Sequence, residues 1–163
     1  MANAAKKKAG ANRPNSNAIA SNRRAFFDYE ILDRREAGLV LTGTEIKSVR
    51  AGKVDLREAY ARPLNGELWL MNAHIGTYDP ANIYNHEPMR SRKLLLHKAE
   101  ISHLAGEVAG KRLTIVPLRM YIKNHVAKVE LALARGKRQY DKRRAIIEKE
   151  MDMAARRTLR NEE

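Results

Sequence analysis

The stretch from Val126 to Arg144 constrains this chain most. An apolar-alternating run ends in Leu131-Ala132-Leu133-Ala134-Arg135-Gly136 and breaks into Lys137-Arg138-Gln139-Tyr140-Asp141-Lys142-Arg143-Arg144. Alternation lets a strand bury one face, whereas the segment past Gly136 has almost nothing to bury. Six of the eight residues after Gly136 are Lys, Arg or Tyr, side chains that grip phosphate and stack on bases. The pattern therefore predicts a folded platform that presents a basic arm to RNA.

Composition narrows the setting. A chain of 163 residues with no cysteine and a formal net charge of +13 reads as one modest domain, held by a hydrophobic core and not by disulfides or thiolate zinc. The opening segment carries Lys6, Lys7, Lys8, Arg13, Arg23 and Arg24 without an acid. It lacks the apolar run of a secretory signal and the amphipathic stripe of a mitochondrial presequence. No apolar run is long enough to cross a bilayer, so a cytoplasmic protein with no membrane partner is expected. So large a cationic excess favours nucleic acid as the partner over a merely basic surface.

Three parts follow: a basic N-terminal tail at 1–24, disordered; a periodic core at 25–135; and a basic C-terminal tail at 136–163, disordered when free. In the core, Phe27, Tyr29 and Ile31 alternate with Asp28 and Glu30. After Arg34-Arg35-Glu36-Ala37-Gly38 the run Leu39-Val40-Leu41 returns, which reads as a hairpin with Gly38 relieving the turn. A short helix then starts at Thr44, places Ile46 and Val49 on one face and stops at Gly52. Residues 56–62 and 67–75 are strands about Asn65-Gly66, a pair suited to the positive φ angles of a tight hairpin. Residues 76–91, with Pro80 and Pro88, form a long loop of the kind that is more often functional than idle. Ile101, Leu104 and Val108 mark a second helix ending at Gly110. Residues 113–118 and 126–133 are further strands, with Val129, Leu131 and Leu133 facing one way and Pro117 marking an edge or bend. The fold expected is mainly β: a small closed antiparallel OB-like barrel of about six strands with two short helices, because closure removes exposed edges. A split α+β sheet is the alternative.

Catalytic signatures are weak. There is no cysteine nucleophile and no Gly-x-Ser-x-Gly elbow. Gly106-Glu107-Val108-Ala109-Gly110-Lys111-Arg112 is one residue short of a phosphate loop, lacks its Ser or Thr, and reads as a helix end. His97, Glu100 and His103 drift off a single helical face, and acids stand as singles, so neither a metal nor a cofactor is expected. Binding residues are plainer. Arg90, Arg92 and Lys93 lead into Leu94-Leu95-Leu96-His97, a basic patch beside an apolar run that could lie against unstacked bases. For Leu94 and Leu96 a core role is preferred. Glu36 could accept hydrogen bonds from base amino groups, but on chemistry alone pairing with Arg34 or Arg35 is favoured.

The C-terminal segment contains a conflict. Asp141 is a fair N-cap, and Ile147, Met151, Ala155 and Leu159 form a narrow apolar stripe, supported by an Asp152 to Arg156 pair. Yet Lys142, Arg143 and Arg144 crowd the positive end of that helix. Phosphate would reverse the repulsion, so the arm is expected to be disordered alone and helical on RNA. A permanently solvated charged helix is the alternative.

Three blocks carry a family resemblance: Glu36-Ala37-Gly38-Leu39-Val40-Leu41-Thr42-Gly43-Thr44-Glu45-Ile46-Lys47-Ser48-Val49-Arg50, Arg92-Lys93-Leu94-Leu95-Leu96-His97, and Leu133-Ala134-Arg135-Gly136-Lys137-Arg138-Gln139-Tyr140-Asp141-Lys142-Arg143. Together they resemble the bacterial small protein B family of SsrA-binding proteins, over nearly everything from Asn22 to Arg143. The resemblance implies an OB-type barrel, a monomer when free, that binds the tRNA-like domain of transfer-messenger RNA and carries it to ribosomes stalled without a stop codon. It implies that Glu36, Arg92, Lys93, Leu95 and His97 hold that RNA. His97 falls where some relatives have Asn, and both side chains hydrogen-bond. It further implies that Gly136, Lys137, Arg138, Tyr140, Asp141, Lys142 and Arg143 meet small-subunit RNA in the decoding centre, with Tyr140 stacked on a base. Ile147, Met151 and Leu159 would lie in the empty mRNA channel. Met151 stands where many relatives have Trp, and Thr158-Leu159 replaces a longer apolar pair, so a weaker or differently seated anchor is implied. The rivals are a generic OB-fold RNA binder and a metal-dependent RNA-processing enzyme.

Overall fold

A computed structural model describes residues 17–161. Most of the expected N-terminal tail lies outside the described residues, and its boundary needs correction. Ala18–Ser21 is a strand, β1, that pairs antiparallel with the strand Thr114–Lys123, β8. Asn22, taken as tail, is buried: its side chain donates to Leu56 O (2.9 Å) and Pro117 O (3.1 Å) and accepts from Ala25 N–H (3.1 Å). That last bond caps a helix the sequence reading missed, α1, Arg23–Asp28. A side-chain oxygen satisfying one orphan N–H is the usual N-cap device.

The expected hairpin between Ile31 and Leu39 is also corrected. Tyr29–Leu39 is one continuous strand, β2, paired along its length with β9, Val126–Gly136. Gly38 serves close approach and not a turn, since a Cβ there would stand 3.3 Å from Leu95 Cβ. The first predicted helix exists as α2, Gly43–Arg50, but begins before Thr44: the N-cap is Thr42, whose N–H is accepted by Glu45 at 2.7 Å. Gly52, with φ +76°, ends it as expected.

Val54–Asp55 (β3) pairs with His74–Ile75 (β6). Tyr60–Leu64 (β4) and Glu67–Met71 (β5) form the hairpin about Asn65-Gly66, whose φ values of 50° and 74° are those such a turn requires. The long loop contains a single 3-10 helix, Asp79–Tyr84. Arg92–Leu95 is β7, and Lys98–Lys111 is α3, closed by Arg112 in the left-handed region at φ 51°. The phosphate-loop look-alike is thus a helix end, as expected. Pairing runs round a ring, β8-β4-β5-β7-β2-β9 and back to β8, with β1 added outside it. One edge of β8 serves β4 at Ile115 and β1 from Arg119 to Tyr121. Pro117, which has no N–H to give, stands at the bulge where that partner changes.

Two apolar clusters flank β8 and β9. Val129, Leu131 and Leu133 face the main core with Ile115, Met120, Leu68, Leu94 and Leu104. Ala132 and Ala134 face the other way, under Ala25 and Phe26 of α1. Small residues there let the helix lie close, and burial on both faces explains why 131–134 is apolar without a break. Past Gly136, α4 runs from Gln139 to Asn161. It begins two residues before Asp141, the expected N-cap, which instead sits in its first turn.

Candidate nucleic-acid interface

Strand parity decides which side of the sheet each binding candidate occupies. In β7, Arg92 and Leu94 point into the core and are 0% and 1% exposed, whereas Leu95 is 51% exposed. Arg92 is therefore corrected from an RNA contact to a buried structural group. Its guanidinium donates to Glu45 (2.8 Å), Ala73 O (2.7 Å), Arg90 O (2.9 Å) and Pro88 O (3.0 Å). Arg90 adds two more bonds to Glu45, at 2.6 Å and 3.1 Å. Burial would push the Glu45 carboxyl up, but the Arg90 hydrogen bond, the Thr42 N–H and Arg92 outweigh it and bring it to about 2. Glu45 and Arg92 thus fasten the 76–91 loop to α2. His86 adds a further tie, through Nε2 to Ile75 O and Nδ1 to the Thr44 hydroxyl, both at 2.9 Å. Ile75 O can only accept, so Nε2 carries the proton.

The outer face holds a row that crosses four strands: Leu95 of β7 opposite Gly38 of β2, Gly38 opposite Lys128 of β9, and Lys128 opposite Tyr121 of β8. Glu36, two residues from Gly38, shares that face. Its expected partners Arg34 and Arg35 are engaged elsewhere: Arg34 with Glu130 at 3.3 Å, Arg35 with Asp33 at 3.0 Å and Glu100 at 3.5 Å. Glu36 instead accepts from the Tyr121 hydroxyl and lies 3.4 Å from Lys128 Nζ and 3.7 Å from Lys123 Nζ. The Tyr121 bond, with Lys128 and Lys123, holds its carboxyl below the usual carboxylate value against the opposing effect of burial. Burial, with the facing carboxylate, pushes the Tyr121 phenol up. The outcome is a half-exposed anion ringed by three donors, with an exposed leucine beside it. A carboxylate has lone pairs for more than these partners, and the lysines can turn to phosphate.

Lys93, also outward, pairs with Glu67 at 2.6 Å. His97 is exposed at the N-cap of α3, where Glu100 accepts its N–H at 3.2 Å. The structure therefore gathers Glu36, Leu95 and Lys93 on one face and places His97 at its end. Tyr121, Lys123 and Lys128 were missed, since residues 85 to 92 positions from Glu36 leave no local signal. Their one trace is the strand alternation of β8 and β9. Among the described residues no group of three His, Asp or Glu side chains could hold a metal, and no helix is long and apolar enough to cross a membrane.

The arm leaves from the opposite end of β9. Gly136 pairs with Tyr29, and Lys137 N–H donates to Asp28 O at 2.9 Å. Lys142 Nζ reaches Asp28 Oδ1 at 2.9 Å, which relieves part of the cationic crowding expected at this helix end. Lys137 and Lys142 are half-buried, and Arg138, Tyr140, Asp141 and Arg143 are exposed. Ile147, Met151, Ala155 and Leu159 are exposed along α4, with the Asp152–Arg156 pair formed at 2.9 Å.

Comparison with known proteins bears directly on this arrangement. A family model described as SmpB protein matches residues 19–161, which includes the ring, the outer row and the arm. The chain belongs to the SmpB family. Among curated relatives, the SsrA-binding protein of Ligilactobacillus salivarius is 55% identical over 149 residues, 91% of this chain and 96% of the relative. That of Enterococcus faecalis is 54% identical over 143 residues, 88% and 93% of the two chains. A solved chain described as "tmRNA-SmpB: a journey to the center of the bacterial ribosome" superposes with a TM-score of 0.64 at 50% identity, covering 78% of this chain and 93% of that one.

Proposed function

We propose that this chain is a non-catalytic RNA-binding adaptor of trans-translation. It binds the tRNA-like domain of transfer-messenger RNA, delivers it to stalled ribosomes in the cytoplasm, and stands in for the anticodon arm at the decoding centre. We read the six-strand ring as a small closed OB-type barrel. Its outer row is the transfer-messenger RNA face, with Glu36, Lys93, Leu95 and His97 in contact and Tyr121, Lys123 and Lys128 added to the set. The observation that carries the reading is Leu95, held out in solvent between an inward Leu94 and the Glu36 cluster, on a chain whose relatives are named for binding SsrA. An exposed leucine beside fixed cations suits a partner with both apolar base surface and phosphate.

In this reading Gly136, Lys137, Arg138, Tyr140, Asp141, Lys142 and Arg143 meet small-subunit RNA. The stripe of Ile147, Met151 and Leu159 lies in the empty mRNA channel. Nothing in the described body packs on that stripe, so the outer turns of α4 are expected to be disordered in the free monomer and helical in the channel. The likeness to a chain from a tmRNA-SmpB ribosome structure supports the second partner.

Truncation after Arg135 tests the division. The shortened protein should keep its affinity for the tRNA-like domain and lose tagging of stalled peptides. A generic binder that relies on the arm would instead lose affinity, with the salt slope falling by about 0.9 per phosphate contact removed. Full tagging by the truncated protein would sink the role given to the arm.

A further inference from the structure

The strand-to-helix junction is gripped on both sides by one short helix. Asp28, the last residue of α1, accepts Lys137 N–H on its carbonyl at 2.9 Å and Lys142 Nζ on Oδ1 at 2.9 Å. Phe26 O accepts Lys137 Nζ at 3.4 Å. Lys137 precedes the start of α4 at Gln139 and Lys142 follows it, so the two contacts straddle the point where the arm would otherwise swivel. Most of α4 is exposed, so these contacts at its root weigh heavily in its direction. The grip is rigid at its root, because α1 is seated by Ala25 and Phe26 on Val116, Leu118, Ala132 and Ala134. The other Asp28 oxygen takes Arg24 Nε at 3.1 Å, and Arg24 also bonds Glu58, which fixes the carboxylate's direction.

We propose that Asp28 is a positioning residue for the arm: by holding Lys142, its carboxylate sets the direction in which the C-terminal helix leaves the body, so that Tyr140 and the tail reach ribosomal RNA in one geometry. The functional half of this inference rests on the adaptor reading above. The geometric half does not. Asp28 lies apart from the outer row, so its loss should separate delivery of the arm from capture of the first RNA.

The chain has no cysteine, so Ala109→Cys on α3 and Arg144→Cys in the first turns of α4, both exposed positions, give one spin-labelled pair in the full-length protein. With Asp28 intact the distance distribution should have one dominant component, and Asp28→Asn should broaden it about twofold. Asp28→Glu, which keeps the charge, should restore the narrow component. Arg24→Gln loosens α1 and frees the second carboxylate oxygen but leaves the Lys142 bond, so it should broaden the distribution less than Asp28→Asn. In unlabelled protein Asp28→Asn should slow tagging about fivefold, the value of a partly exposed ion pair, with affinity for the tRNA-like domain within about twofold. An unchanged distribution in Asp28→Asn, or equal broadening in Arg24→Gln, would overturn the geometric half. Broadening with full tagging would overturn the functional half. If the parent protein itself failed to bind the tRNA-like domain, the adaptor reading would fall while the distance data still decided the grip.

Discussion

Two glutamates in this protein are each held ionised by two cations, and they serve opposite ends. Glu45 is fully buried, and both its oxygens are taken by Arg90, Arg92 and the Thr42 N–H. Glu36 is 38% exposed by its side chain and is ringed by Tyr121, Lys123 and Lys128 on the outer face. Guanidinium forks suit the buried site, because they satisfy a carboxylate and several carbonyls together in fixed geometry. Ammonium heads on flexible stems suit the outer one, because they can leave the carboxylate for a phosphate without leaving a buried charge behind. Similar charge pairing thus yields a clamp in one place and an exchangeable surface in the other.

The largest effect that could break this contrast is expected at Glu45. Glu45→Gln strands Arg92 without its counter-charge, and the loss should be about 3–5 kcal/mol by urea titration. Acid should act in the same direction. The folded pKa of about 2 lies below the ordinary 4.5, so the contribution is complete above the unfolded value and is lost as pH falls through the folded one. Stability followed from pH 6 downward should therefore decline in the parent and more shallowly in Glu45→Gln. Parallel curves would mean that Glu45 is no clamp.

Adjacent leucines sharpen the comparison at intermediate size. Leu94→Ala should cost about 2–5 kcal/mol of stability. Leu95→Ala should change stability by no more than about 0.5 kcal/mol and yet weaken binding of the tRNA-like domain in filter binding. If Leu95→Ala left binding intact, the outer row would lose its apolar member. Substitution of Glu36 should likewise change stability little. Glu36→Gln should move stability by less than about 1 kcal/mol while lowering RNA affinity about tenfold, a difference of about 1.4 kcal/mol in binding. A variant that unfolds as readily as Glu45→Gln would show that the two glutamates are the same kind of group.

How far the sequence could be read depended on the range of the interactions. The Asn65-Gly66 hairpin, the α3 periodicity and the inward set Val129, Leu131 and Leu133 were legible because each is decided within a few residues. Gly38 misled, because a glycine that admits a neighbouring strand's Leu95 looks locally like a glycine that turns the chain. Helix α1 hid because Phe27, Tyr29 and Ile31 mimic alternation, although Asn22 three residues before Ala25 was a capping signal. Arg92 looked like part of a basic patch beside Arg90 and Lys93, since a one-residue offset that sends a side chain inward cannot be seen without the register. The partners of Glu36 come from two strands far along the chain, so pairing with Arg34 or Arg35 was the only local choice.

By itself, then, the sequence determined a mainly β body with a basic arm, the residues at which arm and body part, and the family resemblance that named the partners. Those features rest on local periodicity, charge density and ordered motifs, all of which survive in a linear string. Only the tertiary structure decided that Arg92 is interior while Lys93 and Leu95 are exterior, that Glu36 belongs to Tyr121, Lys123 and Lys128, and that Asp28 grips the arm. Strand register and the packing of α1 bring together groups 111 residues apart and more, and a charge gets its meaning from what it then faces.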